Sequence, residues 1–341
     1  MIRNNMKVAA LAVATSMFAG SAMAQYKPLD GDPKVINFGI ISTESTQNLK
    51  QAWVPLIKDM EAAIGMPVKP FFAPDYAGVI EAMRFGKVHV AWYGNKSAME
   101  AVDRAGGEVF VQEIKASGKQ GYYSHILVHR DNNKINSLKD LFATCAARSA
   151  NFGIGDPNST SGFLVPSFYV FAQNNVDPKK CFKTVRSANH ETNLMAVANK
   201  QVDAAANNSE QVARSKMAAP NAAKNIKIIW TSPLIPADPL VYRRDLTKSL
   251  KAKIKGFFLG YGRLGADAAK QQMVLNGLGS GGGGYTDSSN AQLIPIRQLA
   301  LFRDKLKIES DPRLDPVEKA KRLSQIEAKL SDLKILEKSL M

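Results

Sequence analysis

The chain has 341 residues, and its 45 Lys and Arg against 30 Asp and Glu give a formal charge of +15. An apolar share of 45 % excludes a disordered or fibrous polypeptide. The basic residues are scattered, with no basic block and no aromatic-interleaved basic strip, so a general attraction for anions is expected and nucleic-acid binding is not.

Arg3 and Lys7 precede a short apolar run, residues 8–18, and Ser21-Ala22-Met23-Ala24 offers a small-residue cleavage site before Gln25. This order reads as a secretory signal over residues 1–24. Loss of Arg3 and Lys7 leaves about +13 on a soluble mature chain of about 315 residues, enough for two compact lobes. No later stretch is long and apolar enough to span a bilayer. Cys145 and Cys181 enter an oxidising compartment, where one disulfide and two buried thiols are both open. No Cys-x-x-Cys or His-x-x-x-His spacing supports a metal site, and no metal or cofactor is expected.

Residues 35–41 predict a buried first strand, 49–64 a helix, 68–72 a second strand, 79–85 a helix, 88–94 a third strand and 96–105 a helix. That rhythm predicts βαβ units and a mainly parallel sheet, an α/β fold with helices on both faces. Ligands collect at the carboxyl ends of such strands, where Tyr76 and Tyr93 fall. Residues 122–129 predict a longer strand with Tyr122 at its polar start. Asn151-Phe152-Gly153-Ile154 then leads into Gly155-Asp156-Pro157-Asn158-Ser159-Thr160-Ser161-Gly162. Three adjacent hydroxyls at a loop-to-helix junction, with amides that lack intrahelical partners, suit a tetrahedral oxyanion. A single serine cap with two wetted neighbours explains them equally. Pro166 fits the first turn of a helix starting near Gly162. Strands at 181–185 and 202–206 follow, with His190 and Glu210 at loop-to-helix junctions and Asp238 in a proline-flanked strand. The glycine run at 279–284 lacks a Gly-Lys-Ser/Thr ending and predicts a flexible surface loop. Residues 308–341 predict a charged C-terminal helical extension that either wraps the body or pairs with another copy.

Hydroxyls, free amides and His190 would hold an oxyanion, whereas Glu210 and Asp238 would repel it unless they face a cation on the same molecule. A zwitterion with an ammonium near its phosphonate satisfies both ends.

Several stretches carry a family resemblance. These are Phe38-Gly39-Ile40-Ile41-Ser42-Thr43-Glu44-Ser45, Phe71-Phe72-Ala73-Pro74-Asp75-Tyr76-Ala77-Gly78, Ala91-Trp92-Tyr93-Gly94-Asn95, residues 155–163, His190-Glu191-Thr192-Asn193, Asn207-Asn208, Ser232-Pro233-Leu234-Ile235-Pro236 and Pro295-Ile296-Arg297-Gln298-Leu299. From about residue 37 to residue 302 the chain resembles the phosphonate-binding proteins of bacterial ABC transporters. The resemblance implies a two-lobed periplasmic binding protein, not an enzyme, that captures a phosphonate by hinge closure and delivers it to an inner-membrane permease. It implies residues 25–123 and 241–307 as one lobe and 124–240 as the other. It further implies Ser159, Thr160, Ser161 and His190 at the phosphonate, with Tyr76, Tyr122, Glu210 and Asp238 at the amine of a ligand such as 2-aminoethylphosphonate. Self-pairing of the C-terminal helix into a homodimer is also associated with it. Two rivals remain: a binder of phosphate, phosphite or another simple oxyanion, and a serine phosphoesterase built on Ser161, His190 and Asp238, which lacks a Gly-x-Ser-x-Gly elbow.

Overall fold

Apolar strands and capped helices alternate from the start of the described chain. The computed structural model describes residues 27–118, 120–278 and 282–339; the signal segment and residues 279–281 of the glycine run lie outside them. Strand β1 (Ile36–Ile40) is apolar and almost wholly buried. Ser45 then caps α1 (Thr46–Ile64) by accepting from the Asn48 N–H, and Gly65 ends it in the left-handed conformation at φ 72°. The rhythm continues through β2 (Val68–Phe72), α2 (Tyr76–Arg84), β3 (Val90–Trp92), α3 (Asn95–Arg104) and β4 (Gly107–Glu113).

The expected strand at 122–129 is interrupted at Tyr123, giving β5 (Gly121–Tyr122) and β6 (Ser124–His129). Next come α4 (Leu138–Ala143), β7 (Asn151–Ile154), α5 (Pro178–Cys181), β8 (Thr184–Ser187), α6 (His190–Ala198), β9 (Ala204–Asn208), α7 (Ser209–Ala218), α8 (Pro220–Lys224) and β10 (Ile226–Thr231). The chain closes with β11 (Ile235–Pro236), β12 (Pro239–Arg243), α9 (Lys248–Gly260), α10 (Ala268–Gly277), β13 (Tyr285–Asp287), α11 (Ile294–Ser310) and α12 (Pro316–Ser339).

Two sheets result. The first is six-stranded, in the order β13-β4-β12-β3-β1-β2, and the second five-stranded, β10-β6-β9-β7-β8. Each is parallel on one side and antiparallel on the other, with β1 parallel to β2 and β3 but β12 antiparallel to β3 and β4. Likewise β7 runs parallel to β8 and β9, whereas β6 is antiparallel to β9 and β10. The βαβ rhythm dictates only the parallel sides; β12 returns from the second sheet and enters the first reversed. Between the sheets the outgoing and returning segments pair as a two-stranded antiparallel ribbon of β5 and β11.

Each sheet has its own apolar core. Cys145 and Cys181 are bonded beside the second core, which resolves the open choice in favour of a disulfide. Helix α12 packs on α11 of its own chain and buries Ile326 and Leu330. The described glycines 282–284 are not a loose loop. A Cβ on Gly283 would overlap the Ile114 carbonyl, and the Ile114 N–H donates to Gly284 O at 3.0 Å. The run therefore seats β13 against the end of β4. No described helix is long and apolar enough to cross a membrane.

Candidate functional site

The hydroxyl-rich turn follows β7 directly. A helix starting near Gly162, with Pro166 in its first turn, is not what forms. The chain makes two π-helical turns, Thr160–Leu164 and Ser167–Phe171, and Pro166 lies between them. The wide turn closes with the Leu164 N–H on Ser159 O at 3.1 Å, and Pro166, which has no N–H to offer, sits where the ladder is interrupted. Close approach within the turn requires glycine. A Cβ on Gly155 would lie 2.6 Å from Gly162, and the Gly155 N–H donates to Gly162 O at 2.8 Å.

All three hydroxyl residues are buried. Ser159 is a true cap: its Oγ accepts from the Gly162 N–H at 3.0 Å and lies 3.3 Å from His190 Nε2. Thr160 Oγ1 accepts from the Lys96 N–H at 2.8 Å, and Ser161 Oγ accepts from Asn208 Nδ2 at 3.2 Å. The amides of Thr160 and Ser161, first in their turn, have no intrahelical acceptor. His190 opens α6 after the Asn189 cap. Burial first, and the Arg214 charge second, push its imidazole down to about 3, so the ring is neutral at neutral pH.

The other end of the cluster is acidic. Asp238 lies between β11 and β12, where the chain returns to the first sheet. Its carboxylate lies close to the Tyr122 hydroxyl, and its Oδ1 is buried with no hydrogen-bond partner. Burial pushes Asp238 up to about 7. Tyr122 also lies close to Ser161, which brings the acidic end near the hydroxyl end. Tyr76 lies close to Ser159, and burial raises its phenol well above the ordinary value. Glu210, in the first turn of α7, pairs with Lys115 Nζ at 2.6 Å.

Eight of the nine expected residues thus converge. Tyr93 does not: its hydroxyl donates to Val79 O at 3.0 Å inside the first core. It follows β3 with its side chain turned inward, so a place at the strand's carboxyl end did not make it a site residue. Gly94 has the place instead. A Cβ there would lie 3.3 Å from Thr160 Oγ1 and 3.8 Å from Asp238 Oδ1, which puts those two atoms within about 7 Å of one another.

Sequence reasoning missed Glu113, Lys115, Arg214 and Gly94. The apolar Val109-Phe110-Val111 run inside Gly107–Glu113 was the available signal for a strand with Glu113 at its carboxyl end. Its N–H donates to Asp238 O at 3.0 Å, and burial, then Asp238 and Glu210, push its carboxyl up to about 8.

The cluster is closed by contacts between the segments of the two sheets. Besides Lys96–Thr160 and Lys115–Glu210, Arg214 Nε lies 2.5 Å from Glu44 Oε1. Glu191 accepts from the Ser45 N–H at 2.7 Å and from Asn48 Nδ2 at 2.9 Å. A groove of about 530 Å³ beside it, lined by Thr43, Glu44, Trp92, Gln211 and Arg214 among others, contains none of the nine expected residues. Among the described residues no group of three or more His, Cys, Asp or Glu is placed to hold a metal.

Two sheets joined by a double crossover, with polar residues from both enclosed between them, define a solute-binding protein of the two-lobed class. Residues 38–293 match the family described as ABC transporter, phosphonate, periplasmic substrate-binding protein, and the chain belongs to that family. It is 48 % identical over 336 residues to the Phosphonates-binding periplasmic protein of Escherichia coli (strain K12), covering 98 % of this chain and 96 % of that one. It is 32 % identical over 215 residues to the Phosphate-import protein PhnD of Mycolicibacterium smegmatis, covering 60 % and 65 %. The crystal structure of a binding protein component of a Pseudomonas aeruginosa ABC phosphonate transporter superposes with a TM-score of 0.85 at 49 % identity, over 90 % of this chain and 99 % of that one. The protein is therefore the periplasmic, non-enzymatic phosphonate-binding component of an ABC transporter.

Proposed function

We propose that the ligand is an aminoalkylphosphonate, 2-aminoethylphosphonate above others, held at both ends and passed to the permease in the closed form. The observation that carries this reading is the pairing of chemistries around Gly94: Thr160 Oγ1 on one side and the unpartnered Asp238 Oδ1 on the other, within about 7 Å. Ser159, Thr160, Ser161 and His190 receive the phosphonate. Tyr76, close to Ser159 on one side and to Asp238 and Tyr122 on the other, reaches both ends. Tyr122 and Asp238 receive the ammonium, with Glu210 beside them at the amine end.

The chemistry follows from desolvation. Closure removes water, so each hydrogen bond to the dianion strengthens in the lower dielectric. The same closure leaves Asp238 buried, which is costly until a cation arrives. A ligand without an ammonium pays that penalty in full.

The relative named as a phosphate importer favours a second reading, a plain oxyanion binder, and one experiment separates them. Calorimetric titration with 2-aminoethylphosphonate, ethylphosphonate and phosphate should place the first at least about a hundredfold tighter, as expected for roughly 3 kcal/mol of unmatched buried charge. Equal affinity for 2-aminoethylphosphonate and ethylphosphonate overturns the amine assignment, and a preference for phosphate establishes the second reading.

A further inference from the structure

Three carboxylates, Glu113, Glu210 and Asp238, stand at the acidic end, which is more negative charge than one ammonium requires. Glu210 is already matched, with Lys115 Nζ 2.6 Å from its Oε1. Arg214, which also acts on the cluster, is paired with Glu44. Glu113 and Asp238 therefore remain as the two of the three that form no ion pair among the described residues, although the Lys115 and Arg214 charges act on both from a distance.

Their proximity is fixed by the backbone. β4 and β12 are paired with Pro239 opposite Gln112, and the next contact along is the Glu113 N–H on Asp238 O at 3.0 Å. On the other edge Tyr285 of β13 stands opposite Glu113, and Gly283 and Gly284 press against Ile114 and hold this end of β4 in place. Glu113 and Lys115 thus leave the same strand end two residues apart, one beside Asp238 and the other bonded to Glu210. Asp238 Oδ1, buried and without a partner, is the acceptor that awaits a donor there.

We propose that Glu113 is a specificity-determining residue of the ammonium end: with Asp238 it forms the pair that receives the ligand's positive charge, while Lys115 neutralises Glu210. The proposal rests on the aminoalkylphosphonate reading above and names the counter-charges within it. Its electrostatics agree. Burial raises both carboxyls, Glu113 to about 8 and Asp238 to about 7. Near neutrality the pair thus retains a proton that an arriving ammonium helps to expel.

The test compares wild type with Glu113→Gln, using 2-aminoethylphosphonate and ethylphosphonate as probes. Titration calorimetry at pH 7.5 in two buffers of different ionisation heat reads the proton released on binding. Wild type should release a proton with 2-aminoethylphosphonate, and Glu113→Gln should release almost none with the same ligand. The variant should also lose at least about tenfold of the preference for 2-aminoethylphosphonate over ethylphosphonate, with ethylphosphonate affinity held or improved. If wild type prefers the amine and Glu113→Gln keeps both the preference, within about twofold, and the proton release, the proposal is overturned while the ligand reading stands. If wild type has no preference, the ligand reading itself falls. Should the variant fold poorly, wild-type affinity for 2-aminoethylphosphonate across pH 6.5–8.5 decides: a rise supports the linked pair, and a flat profile contradicts it.

Discussion

Glu210 shows how one side chain serves two partners. It sits in the first turn of α7, where a carboxylate is favoured by the exposed amides of the helix start, and it is held by Lys115 from the other sheet's segment. Replacing it with Gln removes a negative charge and takes from Lys115 its carboxylate partner beside the ammonium. Glu210→Gln should therefore weaken 2-aminoethylphosphonate by about tenfold or more, in line with the loss of a charged hydrogen-bond partner, and leave ethylphosphonate equal or tighter, as read by calorimetry. Such residues were legible because they are chemically conspicuous in short stretches: Ser159, Thr160 and Ser161 in a row, and His190 and Glu210 at junctions that predict helix starts. Glu113 was not legible. Its role depends on β12 and β13, strands that return from residues far along the chain, and nothing local distinguishes it from a solvated carboxylate at a strand end. Tyr93 erred in the opposite direction, since strand position alone does not say which face a side chain takes.

At the scale of elements, the N-terminus of α3 is the part of the first sheet's layer that meets the hydroxyl turn, with Gly94 as its cap residue and Lys96 N–H on Thr160. Gly94 has an ordinary extended backbone, φ −76° and ψ 164°, so glycine is needed there for space and not for conformation. Gly94→Val would push a branched side chain toward Thr160 and Asp238 together. We expect it to weaken 2-aminoethylphosphonate and ethylphosphonate alike, by about tenfold or more as overpacking of a closed contact implies, with ligand-free melting temperature nearly unchanged. Selective loss of only the aminated ligand would contradict that placement. The alternation of strands and helices was readable from periodicity and caps. The π-helical turns and the antiparallel halves of both sheets were not, because the first depends on how Pro166 is accommodated and the second on which distant strand returns beside β3 or β9.

For the whole molecule, the proposed capture by closure makes ligand binding and lobe closure one event. The outer contacts, Glu44–Arg214 and Glu191 with Ser45 and Asn48, touch neither end of the proposed ligand. Glu191→Gln should thus act on closure alone: release of every ligand quickens by about fivefold, as expected for loss of about 1 kcal/mol of hydrogen bonding to Ser45 and Asn48, with selectivity unchanged. Stopped-flow dissociation checks this, and a change in the ratio between ligands would mean that Glu191 acts inside the site. The closed, empty form should also lose stability as pH rises from the ordinary carboxylate range through 7 to 8, because Glu113 and Asp238 bind protons more tightly there than in the unfolded chain.

The most direct measurement is a four-way thermodynamic cycle: wild type and Asp238→Asn, each titrated with 2-aminoethylphosphonate and ethylphosphonate. The account predicts a coupling between the carboxylate and the ammonium of at least about tenfold, with ethylphosphonate unharmed by the substitution. Parallel losses for the two ligands, or no loss for either, would contradict it.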